Sequence, residues 1–341
     1  MQTKQIVFVE KNIAKLIDIE YSEPRDNEVV VETLFSSISC GTEKANIIGD
    51  PNISISSKEN EPAVFPRSSG YSSSGIVLAV GKNVTNVKVG DSVSMSWSKH
   101  KKINVMPSDC VFKYDSEKMT HQDAALMHIA TFPLGAIRKT GLEIGESALV
   151  MGLGILGLFA VSLLKAAGAV PVIAVDPIPE RREKALKFGA DFAFDPFDID
   201  FIEKVKSVTD GGVNCAIEVT GIGKGLEQCL DCMKRFGRVA LLGCTRDKNF
   251  TIDYYRKVHG PGITLVGAHT LARPDAESSP NAFTLKDDIA TLRKLCSFGR
   301  ISLKDMVDEV FNPEDCEAVY DRLINDKEFP VVSQFDWRNL K

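Results

Sequence analysis

The chain has 341 residues, which is enough for two domains that each bury a hydrophobic core. It is 44% hydrophobic and 26% charged with a formal net charge of −5, and it has no basic block that would neutralise nucleic-acid phosphates. Charged residues interrupt each short apolar run of the N-terminal MQTKQIVFVEKNIAKL, unlike the core of a signal peptide. We therefore expect no nucleic-acid partner and a reducing cytoplasmic location, in which the eight cysteines are free thiols.

The first third of the chain is expected to form a compact antiparallel β region. VVVETLFSSIS (29–39) is rich in β-branched residues, and GIVLAVGKNVTNVKVGDSVSM (75–95) alternates valines with turn residues. Between them, GDPNISISSKENEPAVFPRSS (49–69) has no periodicity and predicts a long loop.

From about residue 120 the pattern changes to short hydrophobic strands that alternate with helices. The strands are ALVMG, PVIAVD, NCAIEVTG, RVALLGC and ITLVGAH, and the intervening KGLEQCLDCMKRFG (224–237) is expected to be helical. This alternation predicts a doubly wound parallel sheet. The run SALVMGLGILGLFAVSLL (147–164) is long enough to approach a membrane span, but its glycines favour a strand, a turn and a buried helix, so no membrane contact is expected. Near the C-terminus, a helix is expected to stop at Gly299, and FPVVSQFDW (329–337) is expected to be a final strand.

A dinucleotide-binding motif is the strongest chemical signal. Gly152, Gly154 and Gly157 form G-x-G-x-x-G between a strand and a helix, and Asp176 ends the next strand, 19 positions after the last glycine. An acid at this point accepts hydrogen bonds from ribose hydroxyls and repels a 2′-phosphate, so NAD is expected rather than NADP. Arg181 and the following arginine could weaken that preference or simply form a solvated helix face. The residues expected to bind the cofactor are Gly152, Gly154, Ile155, Leu156, Gly157, Asp176, Thr220, Gly243 and Ala268.

Two long motifs in this order resemble the medium-chain dehydrogenase/reductase superfamily. GIVLAVGKNVTNVKVGDSV looks like its G-x-V-x-x-V-G-x-x-V-x-x-x-x-x-G-D-x-V signature, and GESALVMGLGILG resembles the start of its nucleotide domain. The resemblance implies an α/β protein with a GroES-like β domain and a Rossmann domain. The implied boundaries are 1–122 for the first part of the GroES-like catalytic domain, 123–270 for the Rossmann domain and 271–341 for the return to the catalytic domain.

The resemblance also shows a departure from the zinc-dependent members of the superfamily. SCGTEK supplies Cys40, Thr42 and Glu43, which correspond to the first ligand, a substrate-contacting hydroxyl and an acidic neighbour. In GYSSSG, however, Tyr71 replaces the ligand histidine and Ser72 replaces the glutamate that follows it. Catalytic zinc usually needs three protein ligands.

A later ligand position falls at His128, in DAALMHIATFPLG. Because Cys40 and His128 alone are two ligands, we predict that no metal is bound. If zinc is bound after all, the expected set is Cys40, Glu43 and His128. The chain thus resembles a zinc-lacking branch whose relatives are called alcohol or sugar dehydrogenases.

Without zinc, side chains must manage the proton and the developing charge on the substrate oxygen. We expect His128 to act as the acid–base group, Thr42 to relay its proton and Tyr71 to donate a hydrogen bond to the oxygen. The alternatives are that His128 is a structural histidine and that Tyr71 only fills the volume of the lost metal site. His100, His259 and His269 have weaker claims.

The expected function is NAD-dependent, zinc-independent interconversion of a secondary alcohol and a ketone, on a polyol, sugar or cyclitol. A quinone or enoyl reductase and a non-enzymatic NAD-binding sensor are the alternatives. By resemblance, a homodimer or homotetramer is expected to form through the strand ITLVGAH (263–269).

Overall fold

The computed structural model describes residues 1–52, 62–245 and 249–340. The chain divides into two compact units, the first formed by Met1–Ile129 with Thr291–Lys341 and the second by Ala130–Ala290. Part of the expected loop at 49–69, namely residues 53–61, lies outside the described residues.

Sixteen strands and eight α-helices occur in the part of the chain that the structure describes. The strands are β1 (Gln2–Glu10), β2 (Ile13–Glu20), β3 (Glu28–Ile38), β4 (Arg67–Ser68), β5 (Ser72–Val80), β6 (Ser92–Ser96), β7 (Ile103–Pro107), β8 (Val111–Lys113), β9 (Ala148–Met151), β10 (Val172–Val175), β11 (Phe192–Phe194), β12 (Val213–Glu218), β13 (Met233–Leu241), β14 (Thr264–Gly267), β15 (Glu309–Phe311) and β16 (Ser333–Asp336). The helices are α1 (Cys40–Ile47), α2 (His121–Thr140), α3 (Ile155–Ala167), α4 (Pro179–Lys187), α5 (Phe201–Val208), α6 (Gly223–Asp231), α7 (Leu285–Ser297) and α8 (Cys316–Asn325).

Strand β3 is the centre of the first unit. It pairs antiparallel with β5, β7 and β16, and the sheet continues from β5 through β6 to β8. A smaller sheet has the order β2-β1-β4. Val29 and Val31 of β3 and Val77 of β5 belong to one hydrophobic core. Phe8, Tyr320 and Trp337 belong to a second core, which includes residues of α8. The β-branched and aromatic composition of these segments therefore explains both the strands and what they bury.

The second unit is a parallel sheet with the order β11-β10-β9-β12-β13-β14. Counted from β9 along the chain, this is the order 3-2-1-4-5-6 of a Rossmann fold. The strands β9, β10 and β12 are buried on both faces, as their continuous Val, Ile, Leu and Ala runs predict. The apolar run at 147–164 thus supplies β9 and most of α3. Every helix within the described ranges is too short or too polar to cross a bilayer.

The expected helix at 224–237 is wrong in its second half. Helix α6 ends at Asp231, and β13 begins at Met233 and pairs with β12 as far as Leu241. Burial of Met233 and Val239 in the core of the sheet outweighs the helix propensity of the intervening charged residues. At the C-terminus, α7 ends at Ser297 with Gly299 at φ +63°, and β16 lies within the expected final strand.

The units change at residues 129 and 290, whereas the resemblance implies boundaries at 122 and 270. Contacts within the second unit explain why this unit extends to residue 290 and not only to residue 270. Asp288 is 1% exposed, its Oδ1 lies 3.0 Å from Arg138 Nε, and its Oδ2 lies 3.5 Å from Arg273 Nη1. The ion pair with Arg138 attaches the segment at 271–290 to α2, and the ion pair with Arg273 joins two parts of that segment.

Candidate active site

The glycine turn between β9 and α3 has the geometry that a dinucleotide-binding loop requires. Gly152 has φ +99°, which favours glycine, and a Cβ there would lie 2.9 Å from Thr220 Cγ2. A Cβ on Gly157 would lie 1.9 Å from Gly152 O, so α3 can pack this closely on the turn only through a glycine. A Cβ on Gly154, in contrast, would meet no atom within 4 Å, which leaves room for a ligand beside the backbone.

The N-terminus of α3 is suited to a pyrophosphate. Gly154 is the N-cap residue, Ile155 and Leu156 begin the helix, and the first turn carries no acidic side chain. Unpaired N–H groups and the positive end of the helix dipole favour an anion at this point.

Asp176 is fixed against the glycine turn. Its side chain is 4% exposed, its Oδ2 accepts a hydrogen bond from Leu153 N at 2.8 Å, and its Oδ1 accepts one from Ile178 N at 2.9 Å. Arg181 Nη1 lies 3.7 Å from Oδ2. Because each carboxylate oxygen keeps a further lone pair, Asp176 can still accept hydrogen bonds from ribose hydroxyls.

The other expected cofactor residues follow the carboxyl ends of β12, β13 and β14. Thr220 N and the Thr220 hydroxyl both donate to Glu218, a carboxylate whose pKa is raised by burial. A Cβ on Gly243 would lie 2.4 Å from Gly221 N, so the two loops approach each other closely. Ala268 is buried and its N–H donates to a carbonyl of β13. Glu218 was missed by sequence reasoning, although a carboxylate at the end of a buried strand was a usable signal.

In the first unit, three aromatic rings converge. The His128 ring is 1% exposed, and its centroid lies 4.4 Å from that of Trp97 and 5.7 Å from that of Tyr71, both edge-on. Trp97 is 43% exposed and has φ +66°, a strained value for a residue with a side chain. The structure thus brings together two of the three expected catalytic residues and adds Trp97, which sequence reasoning missed.

Tyr71 is also connected to the start of α1. Its hydroxyl donates to Ser39 Oγ, and Ser39 is the N-cap residue of that helix. Thr42 lies in the first turn of α1, where its backbone oxygen accepts a hydrogen bond from Asn46. Tyr71 therefore links the start of β5, which it precedes, to the start of α1 through its hydroxyl.

The donor set of the first unit does not fit a zinc ion. Cys40 Sγ lies 3.7 Å from Pro330 O and 3.8 Å from Val331 O, and the Glu43 carboxylate is occupied by His100 and Tyr320. Among the described residues, no group of three His, Cys, Asp or Glu side chains could hold a metal.

Comparison with known proteins places the chain in a family. A family model described as "Zinc-binding dehydrogenase" matches residues 156–283. The L-threonine 3-dehydrogenase of Pyrococcus horikoshii is 31% identical over 282 residues, which cover 74% of this chain and 79% of that protein. The chain belongs to the medium-chain dehydrogenase/reductase superfamily.

In further comparisons, this medium-chain dehydrogenase is similar to known dehydrogenases over nearly its full length. The D-guloside 3-dehydrogenase of Escherichia coli K12 is 25% identical over 326 residues, which cover 90% of this chain and 92% of that protein. The crystal structure of 2R,3R-butanediol dehydrogenase from Bacillus subtilis has a TM-score of 0.81 at 21% identity and covers 98% of this chain and 99% of that chain. The expected superfamily and the GroES-like plus Rossmann fold class are confirmed, and the protein is an oxidoreductase of the alcohol dehydrogenase type.

Proposed function

We propose that this medium-chain dehydrogenase interconverts a secondary alcohol and a ketone with NAD and without zinc. The observation that carries the cofactor proposal is the glycine turn of Gly152, Gly154 and Gly157 with the Asp176 carboxylate bonded to it. A negative charge at the end of β10 favours two free ribose hydroxyls over a 2′-phosphate.

The substrate that we propose is a polyol, sugar or cyclitol. Two relatives are named as 3-dehydrogenases of L-threonine and of a D-guloside, which supports oxidation of a hydroxyl on an internal carbon. The half-exposed Trp97 ring beside His128 supports a substrate with a C–H face that can lie on an aromatic surface.

His128 is proposed as the acid–base group. The residues of the glycine turn and Asp176 would hold NAD, which would supply the hydride acceptor for the alcohol carbon. A ring nitrogen of His128 takes the hydroxyl proton during oxidation and returns it during reduction. Thr42 is proposed to pass this proton, and Tyr71 to donate to the substrate oxygen, in which role its O–H group leaves Ser39.

The zinc-independent mechanism rests on the donor set, since Glu43 is held by three protein donors and Tyr71 stands at the position of the ligand histidine. We also propose a cytoplasmic homodimer or homotetramer that forms through β14, which lies last in the order of the parallel sheet.

The test combines cofactor titration with a substrate panel. We expect NADH to bind more tightly than NADPH, and at least one polyol, sugar or cyclitol to be oxidised. His128→Ala should lower turnover by about two to four powers of ten while leaving NADH affinity unchanged. His259→Ala, which removes an exposed histidine of the second unit, should leave turnover unchanged.

Two results would contradict the proposal. A silent panel with intact NADH binding would favour a non-enzymatic sensor. Preference for NADPH together with reduction of quinones or enones would favour the reductase alternative.

A further inference from the structure

The serine side chains of GYSSSG make specific contacts with helix α2. Ser72 Oγ donates to Ala125 O at 2.6 Å, and Ser74 Oγ donates to His121 O at 2.6 Å. Residues two apart on a strand face the same side, so both hydroxyls of β5 point at the same helix. The acceptors lie one helical turn apart in the segment that leads to His128.

Two further side chains bind the same stretch of α2 from other strands. Ser37 Oγ on β3 donates to Ala125 O at 2.8 Å, so this carbonyl accepts hydrogen bonds from two serines. Gln334 on β16 donates through Nε2 to Gln122 O at 2.9 Å and to Ser37 Oγ at 3.1 Å. Three strands thus hold the first turns of α2 through side-chain donors.

The middle serine faces the other way, toward the residue after Trp97. Ser73 Oγ donates to Ser98 Oγ at 2.6 Å, and both side chains are buried. In addition, Trp97 N donates to Tyr71 O at 2.7 Å. The serines that follow Tyr71 on β5 therefore contact helix α2, which carries His128, and the residue that follows Trp97.

The location of these bonds determines what they can control. Ala125 lies three residues before His128, so a shift of its carbonyl moves the turn from which the His128 ring projects. A buried hydroxyl donates strongly because no water competes for it, and a lost donor leaves the acceptor less well satisfied. Small displacements of an acid–base group are costly in catalysis.

We propose that Ser72 and Ser74, with Ser37, are positioning residues that hold the His128 ring against Trp97 and Tyr71. The inference rests on the proposed function only in the part that concerns turnover. The placement of the ring can be measured without any substrate.

The first measurement is NMR of the ring signals in protein labelled with ¹³C-histidine, which has five histidines. The edge-on ring at 4.4 Å from Trp97 is shifted by the ring current of the indole, and His128→Ala assigns its signal. In the double variant Ser72→Ala/Ser74→Ala, we expect the His128 signal to move toward its position in Trp97→Ala. Ser94→Ala, which removes a buried hydroxyl that faces Phe112 O instead of α2, should leave it unmoved.

The second measurement compares the effect of the variants on kcat with their effect on the Kd of NADH. The double variant should lower kcat about tenfold while the Kd of NADH stays unchanged, because the nucleotide-binding residues are untouched. Ser72→Thr keeps the hydroxyl and should restore most of the turnover that Ser72→Ala loses. If the double variant does not fold, Ser74→Ala alone is measured in the same way.

A His128 signal that stays in place in the serine variants overturns the proposal, even if turnover falls. A displaced signal with a tenfold loss of kcat supports it. A displaced signal combined with full activity of His128→Ala also supports the positioning of the ring, but it refutes the proposed catalytic role of His128.

Discussion

At the scale of single residues, Glu43 is a buried acid whose carboxylate is held by protein donors. Its carboxylate is 2% exposed and accepts hydrogen bonds from Ser39 N at 2.9 Å, from His100 Nε2 at 3.1 Å and from the Tyr320 hydroxyl. Burial alone would raise the pKa of Glu43, but the charge and hydrogen bond of His100, together with the Tyr320 and Ser39 donors, lower it below 4.5. Glu43 is therefore a buried structural anion that fixes the start of α1.

Glu43→Gln should destabilise the protein by about 3 kcal/mol at pH 7, because it leaves His100 without its buried carboxylate. A carboxyl group whose folded-state pKa is lowered contributes stability above its ordinary value of 4.5 and loses it as the pH falls through the folded value. The difference from the wild type should thus shrink below pH 4.5. Urea denaturation at pH 7 and at low pH measures both effects.

The matched control is Glu317→Gln, which removes a carboxylate that is 64% exposed and paired with Lys15. Its cost should be below about 1 kcal/mol. An equally small cost for Glu43→Gln would show that the buried pair with His100 is not structural.

Trp97 is a residue of the candidate site that sequence reasoning did not find. Tyr71 and His128 were found through the resemblance to the superfamily, at whose ligand positions they stand. The contact of His128 with Trp97 could not be found in this way, since it depends on how the end of β6 turns toward α2. A tryptophan directly after a strand, in a chain with two tryptophans, was the available signal.

At the scale of elements, the glycines of the turn between β9 and α3 have two different functions, which are helix packing and cofactor binding. Gly157 permits helix packing, since a Cβ there would overlap Gly152 O at 1.9 Å. A Cβ on Gly154 would meet no protein atom within 4 Å, and Gly154 has φ −69°, which alanine also adopts. Gly157 is therefore required for the packing of α3, whereas Gly154 leaves space for the bound cofactor.

Gly154→Ala should therefore fold with an unchanged Tm but bind NADH at least about tenfold more weakly, because its methyl group intrudes where the pyrophosphate must approach the backbone. Gly157→Ala should lower stability by about 2 to 4 kcal/mol. Thermal unfolding and fluorescence titration with NADH separate the two effects. Loss of Tm in Gly154→Ala, or full NADH affinity, would contradict this assignment.

At the scale of the whole molecule, local patterns predict most of the second unit. Alternating strands and helices, the glycine turn and Asp176 suffice for a Rossmann sheet, because each depends on neighbouring residues. The attachment of the segment at 271–290 depends on the ion pair of Asp288 with Arg138, which lies far away in the sequence. Strand β13 was missed because it also depends on a contact outside its own segment. Its charged residues suggest a helix, and only the pairing with β12 shows that it is a strand.

The first unit was less predictable because its sheet is assembled from distant segments. Strand β3 pairs with β16, almost 300 residues later, through Ser37 and Gln334 among others. The resemblance to a known superfamily implied only that residues 271–341 return to the catalytic domain, whereas composition and periodicity predicted the strands but not their pairing.

The zinc content of the whole chain is also predictable. We expect well below one zinc per chain, and we expect turnover to be unchanged after a chelator is added. A catalytic zinc needs three side-chain ligands in tetrahedral geometry. Here Cys40 lies against two carbonyl oxygens, and the Glu43 carboxylate is held by His100, Tyr320 and Ser39 N–H. Binding zinc through Glu43 would break these buried hydrogen bonds, which costs free energy that a two-ligand site cannot recover.

Elemental analysis of protein purified without added chelator measures the stoichiometry, and turnover is compared before and after dialysis against a chelator. Cys40→Ala serves as the matched variant, since it removes the sulfur ligand that such a site would need. Close to one zinc per chain, lost both on chelation and in Cys40→Ala together with activity, would replace the proposed acid–base mechanism with a metal-dependent one. Zinc that persists in Cys40→Ala would instead lie elsewhere and leave the mechanism standing.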